Sequence, residues 1–195
     1  TFYTDAKRCT YTGNSATSYG GAAYSGTLSD CSFINNSAYY GGGTYYGTVS
    51  NCVYSGNKAT SYNGGGACYG TLSDCVITNN TASQYGGGTY GSTLYRCLVA
   101  GNRATSYYGG GVCSGTLHEC VVSNNTASTL GGGVNGSTMY NCLVVRNSTT
   151  GSSSSGGGVQ GGTAYNCTIC DNSAPYRGGM QGGTAYNCII WGNTE

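Results

Sequence analysis

The sequence predicts an all-β protein, a right-handed parallel β-helix of about 22 residues per coil, with three short strands per coil and nearly nine coils. Three observations point there. A cysteine returns every 21 to 25 residues, an asparagine stands five residues after each one, and all length variation falls at one phase of the repeat.

The cysteine file is Cys9, Cys31, Cys52, Cys75, Cys97, Cys120, Cys142, Cys167 and Cys188. Its companion is Asn14, Asn36, Asn57, Asn80, Asn102, Asn125, Asn147, Asn172 and Asn193. Four residues before each of the last eight cysteines stands a threonine, from Thr27 to Thr184, and a glycine cluster precedes that. Cysteine to the residue seven beyond it is fixed in length, and so is glycine cluster to cysteine. Insertions such as "TSYN" and "TGSSSS" fall only between them, as in a solenoid whose loops project from one edge.

Apolar residues come in short bursts such as "TLSDCVI", rich in Val, Ile, Thr and Tyr, so the repeat reads as strands and not helices. Leu28, Leu72, Leu94 and Leu117 form one inward column, Phe33, Ile77, Val99 and Val122 a second, and Ala67, Val112 and Met180 a third. The loose period favours the right-handed form over the stricter left-handed one. Coils then stack about 4.8 Å apart into a rod of about 40 Å. A buried amide needs partners, so the asparagines are expected to bond one another in an internal ladder. The cysteines are expected to be free, packed thiols, because parallel side chains hold their Cβ atoms too far apart for a bridge.

The repeat resembles the GGA/FxxN repeats of right-handed β-helix proteins among surface adhesins and autotransporter passengers, including the chlamydial polymorphic membrane proteins. Residues 20–23, "GGAA", and 33–36, "FINN", carry the likeness; elsewhere GGG replaces GGA, and Tyr, Ile or Val replaces Phe. The resemblance implies this fold and an extracellular or cell-surface location. It leaves the role open, since fold does not fix function.

Charged residues make up 7% of the chain, against roughly a quarter in ordinary domains, and the net charge is +1. That excludes the electrostatic footprint of a nucleic-acid binder, and no apolar run is long enough to insert this segment into a membrane as a helix. No metal or cofactor is expected, because a single-file thiol column offers no tetrahedral pocket. Enzymatic activity is not expected either. Asp30, Asp74 and Glu119 share a column but sit two coils apart, with Asn51 and Arg96 between, so Asp74, Arg96 and Glu119 read as a charge ladder. His118 reads as a solitary solvated side chain.

The candidate interaction surface is aromatic. Tyr24, Tyr45 and Tyr90 share one outward column, and Tyr95, Tyr140, Tyr165 and Tyr186 share another. Cys68 and Cys113 recur two coils apart as outward thiols, and with Cys170 are either exposed or cross-link points between chains. Residues 56–80 and 101–125 nearly coincide, and the residue before the ladder asparagine alternates between Gly and Asn from Gly13 to Asn124. Two-coil duplication explains this; a face patterned to match a neighbouring rod is the sharper alternative. The expected role is a structural or adhesive extracellular rod that self-associates head to tail or laterally, residues 1–195 being one solenoid domain. Neither end shows a cap, which suits an excerpt of a longer rod or a stacking unit. A glycan-binding or carbohydrate-active β-helix with a glycan or host-surface ligand is the rival, and ice binding on the Thr column is third.

Overall fold

In a computed structural model that describes residues 5–195, the chain forms a parallel β-solenoid without helices. Two sheets of nine strands run its full length. One lies just before the cysteines, from Ala6–Lys7 to Thr184–Tyr186, and the other just after them, from Thr10–Thr12 to Ile189–Trp191. A third sheet of seven strands follows the glycine clusters, from Thr44–Tyr45 to Met180–Gln181. A further ladder of six two-residue strands, Ser37–Ala38 to Ser148–Thr149, continues the turn after each asparagine. Each strand pairs in parallel with its counterpart one coil away, so like residues sit over like: Leu72 between Val49 and Leu94, Ile77 between Tyr54 and Val99.

The inward columns are those expected from the alternation. Leu28, Leu72, Leu94 and Leu117 are fully buried, as are Phe33, Ile77, Val99 and Val122, and Ala67 and Val112; Met180 is half-buried. The ladder after asparagine adds Ala38, Ala59, Ala82, Ala104 and Ala127. At one end the core is aromatic, with Phe33 stacked between Tyr11 and Tyr54, and the Tyr54 hydroxyl 3.0 Å from Thr44 Oγ1.

The asparagine ladder runs unbroken from Asn14 to Asn193, nine amides bounding eight circuits. Asn102 shows its full valence. Its Oδ1 accepts from the backbone N–H and the Nδ2 of Asn80 at 2.9 and 3.0 Å. Its Nδ2 donates to Ile77 O at 2.8 Å and to Asn125 Oδ1 at 3.0 Å. Every coil is thus joined to both neighbours through one buried side chain.

Beside it the nine file cysteines are free. Each file thiol from Cys31 onward donates to the carbonyl two residues earlier at 3.1–3.3 Å. Most also accept the backbone N–H of the cysteine one coil before, at 3.1–3.4 Å. The sulfur therefore substitutes for a corner hydrogen bond as well as filling space.

The corners explain the two-coil period. The residue before each ladder asparagine has left-handed backbone, including Asn35 (φ 54°), Gly56 (φ 67°), Asn79 (φ 56°) and Gly101 (φ 66°). Asn and Gly tolerate this region best. A Cβ on Gly56 would collide with Oδ1 of Asn35, and one on Gly101 would lie 2.9 Å from Oδ1 of Asn79. Asn35 and Asn79 each fold over the next coil's glycine. The alternation is therefore internal packing between coils, which accounts for it without a neighbouring rod. In the glycine clusters only the first residue has positive φ, as at Gly86 (φ 64°); the second is needed for space, since a Cβ on Gly87 would strike the backbone of Gly110 and Arg103.

Asn102→Ala is expected to orphan two buried donors of Asn80 and lower stability by about 2–6 kcal/mol, at about 1–3 kcal/mol for each unsatisfied group. Lys58→Ala, at an exposed position, is expected to stay within about 0.5 kcal/mol of the parent. Denaturant midpoints of the two variants check this; equal midpoints would show that the ladder is not what couples the coils.

Candidate interaction surface

Three outward faces run along the solenoid. On the sheet before the cysteines, the threonine file lies beside a second file that changes character along the axis. Ser29, Ser50 and Ser73 give way to Tyr95, His118, Tyr140, Tyr165 and Tyr186. These five rings form one continuous stack, with centroids 4.8–5.0 Å apart and planes within 10° of parallel. The imidazole of His118 is thus a ring of the tyrosine stack and not the solitary solvated group its neighbours in sequence suggest. The strand spacing of the sheet falls within the centroid separation of offset stacked rings, so in-register pairing creates the stack without further design. Ring faces cover one another, and edges and hydroxyls meet solvent.

The sheet after the glycines carries the other tyrosine column. Tyr45 and Tyr90 flank Cys68 in register, and Tyr24 packs on Tyr45 with centroids 5.5 Å apart. Before the glycines Tyr62 stacks on Tyr40 and Tyr40 on Tyr19, Tyr19 packs at a tilt on Tyr45, and Tyr46 and Tyr69 stack beyond the column. This crowding corrects the reading of the thiols. Cys68 is 0% exposed and Cys113 3%, although both point away from the coil. Outward is not exposed where the flanking side chains are phenol rings. Cys170, between Val145 and Trp191, is 7% exposed, so it too is covered. None of the three is an accessible cross-link point.

The third face is the sheet after the cysteines, where Val53, Val76, Leu98 and Val121 form an exposed apolar file. Its signal in the sequence is simple: Val or Leu directly follows Cys52, Cys75, Cys97 and Cys120.

The charge ladder is shorter than the sequence suggests. Arg96 makes a bidentate pair with Asp74, Nε to Oδ1 at 2.7 Å and Nη2 to Oδ2 at 2.8 Å. The hydrogen bonds from Arg96 hold the Asp74 carboxyl below its usual range. Glu119 makes no ion pair among the described residues, because the guanidinium turns wholly toward Asp74. Arg96 and Glu119 sit in left-handed corners (φ 49° and 55°), whose stiffness fixes where their side chains leave the coil. Among the described residues no group of three or more His, Cys, Asp or Glu could hold a metal ion. No helix among them is long and apolar enough to cross a membrane.

The spacing of glycine cluster, cysteine and asparagine around one coil allows a comparison with known repeats. Residues 74–92 match the Chlamydia polymorphic membrane protein repeat. The match spans about one coil, from the corner residue Asp74 through Cys75, Ile77, Asn80 and the cluster Gly86–Gly88. It falls in a different coil from "GGAA" and "FINN", which fits a pattern shared by every circuit. The chain is similar to polymorphic-membrane-protein repeats in that segment and in its solenoid architecture. No curated protein and no solved structure matches the chain.

Burial pushes Cys52 up to about 11 and Cys68 up to about 12. Within the file, burial opposes ionisation of Cys75, Cys97, Cys120, Cys142 and Cys167. Only thiolate alkylates, so at about pH 8 the native protein is expected to leave Cys52 and Cys68 unlabelled, with labelling rising as the pH approaches their raised values. Unfolding should expose all twelve thiols. Mass spectrometry after alkylation with and without denaturant checks this; full native labelling at that pH would contradict the burial.

Proposed function

We propose that the chain is a segment of a rigid surface rod whose outward files serve adhesion and lateral association. The observation that carries this reading is continuity. Outward side chains recur along the axis in files, ring on ring or Val on Leu, so the surface is a linear array and not a pocket. Such an array suits a partner that also repeats along a line, and a second copy of this rod is the simplest one. The similarity of residues 74–92 to polymorphic membrane protein repeats supports a place at the cell surface. The uncharged character of the apolar file supports contact with a neighbour over steering of an ionic ligand.

Glycan binding is the second reading. It draws on the depression lined by Tyr85, Tyr90, Tyr108, Cys113, Ser114 and Asn135. Against it, the stacked tyrosines present edges to solvent, whereas sugar recognition by aromatic side chains uses open ring faces. A carbohydrate-active enzyme would need two carboxylates in reach of one bond, and Asp30 and Asp74 belong to corners two coils apart. Ice binding would need paired hydroxyl files; the Thr–Ser pairing holds for Thr27–Ser29, Thr48–Ser50 and Thr71–Ser73, then rings replace serine.

Electron microscopy and sedimentation of concentrated protein test the proposal. Side-by-side or end-to-end association is expected, weakened when Val76 and Leu98 are both changed to Asp. Uniformly monodisperse short particles, together with saturable binding to a glycan array, would replace it with the second reading.

A further inference from the structure

We propose that Tyr40 and Tyr62 form an oxidative cross-linking site, where a one-electron phenol oxidant joins two successive coils through a carbon–carbon bond between the rings. Their centroids are 4.4 Å apart and their planes 3° from parallel, the closest and flattest pair among the described tyrosines. Coupling has to join two ortho carbons, and a close, parallel ring pair brings the two rings' carbons into the same space. A second feature separates this pair from the other stacks. Tyr62 belongs to the "TSYN" insertion, outside every strand, and is 39% exposed, so an oxidant reaches it and its ring can shift. Tyr140, Tyr165 and Tyr186 also stack, but at 5.0 Å and on three-residue strands whose ladder hydrogen bonds hold the rings at the strand spacing. They are stacked and unable to close.

Tyr40 is well placed to share the radical. Tyr19 stacks on it at 5.5 Å as Tyr62 does at 4.4 Å, so the phenoxyl spin can reside on any of three rings in contact. Burial and the neighbouring phenols raise the Tyr40 hydroxyl, so it stays protonated at neutral pH and loses its proton together with the electron.

The step balances with hydrogen peroxide acting through a haem peroxidase as the oxidant class. Each phenol gives up one electron and its hydroxyl proton. The peroxide takes two electrons and two protons and leaves as two waters. The two radicals pair at their ortho carbons, forming one carbon–carbon bond. Each ortho carbon then loses its hydrogen as a proton while a proton returns to the oxygen, restoring both phenols. The product is a covalent staple across residues 22 positions apart, made where the length-variable loops leave the coil without a strand.

The test uses the whole chain at high dilution with a haem peroxidase and hydrogen peroxide, read by dityrosine fluorescence and by tandem mass spectrometry of tryptic peptides. Trypsin places Tyr40 in peptide 9–58 and Tyr62 in peptide 59–96, so a staple joins the two, and fragment ions locate it. The expected result is a Tyr40–Tyr62 link as the main intramolecular product, lost in Tyr62→Phe and retained in Tyr186→Phe, with circular dichroism showing both variants folded. A link mapping to Tyr46–Tyr69, links scattered over exposed rings such as Tyr39 and Tyr176, or an unchanged yield in Tyr62→Phe would overturn the proposal.

Discussion

The fold depends on the cost of burying an amide. Nine asparagine side chains lie in or beside a core where each unpaired donor or acceptor costs about 1–3 kcal/mol, and the only partners at the right height are the coils above and below. That requirement sets the rise per coil, because Oδ1 must accept from the preceding coil while Nδ2 reaches the following one. It also sets register, since a shift by one residue would move the amide out of the file. Chains of such bonds in a low-dielectric interior polarise one another, so the file strengthens as it lengthens.

Once rise and register are fixed, the corners follow. The chain turns sharply at the residue before each cysteine and before each ladder asparagine, and both positions are left-handed. Asn, Asp and Gly fill most of them, which is the local answer to the steric problem. From Gly13 to Asn124 the Gly–Asn alternation adds an answer between coils, large over small, as at Asn35 over Gly56 and Asn79 over Gly101. The thiol file works the same way at the neighbouring corner, accepting a backbone N–H and donating to a carbonyl with an atom small enough for the interior.

The outer surface inherits the same repeat without being designed position by position. Aromatic residues recurring at one strand phase stack from Tyr95 to Tyr186, since the strand spacing lies within the centroid separation of stacked rings. Such stacking uses up the ring faces that a sugar would need. A surface of this kind suits contact along a line. The loops, where phase is relaxed, are the places where rings gain room to move and react.

Much of this was legible in the sequence because parallel in-register coils convert equal phase into equal place. The Asn and Cys files, the Leu and Val columns, the glycine corner and the two tyrosine columns could be read by counting residues. What counting could not supply depends on which way a side chain leans and on what covers it. Cys68 and Cys113 occupy outward phases, yet Tyr45, Tyr90 and the rings around them close over the thiols. Arg96 has an acid on either side and turns to only one, Asp74, presenting its Nε–Nη2 edge to both carboxylate oxygens. The sequence by itself determined the period, and through it the files; the tertiary structure decided which outward residues meet solvent, because exposure depends on the size and lean of neighbours a full coil away.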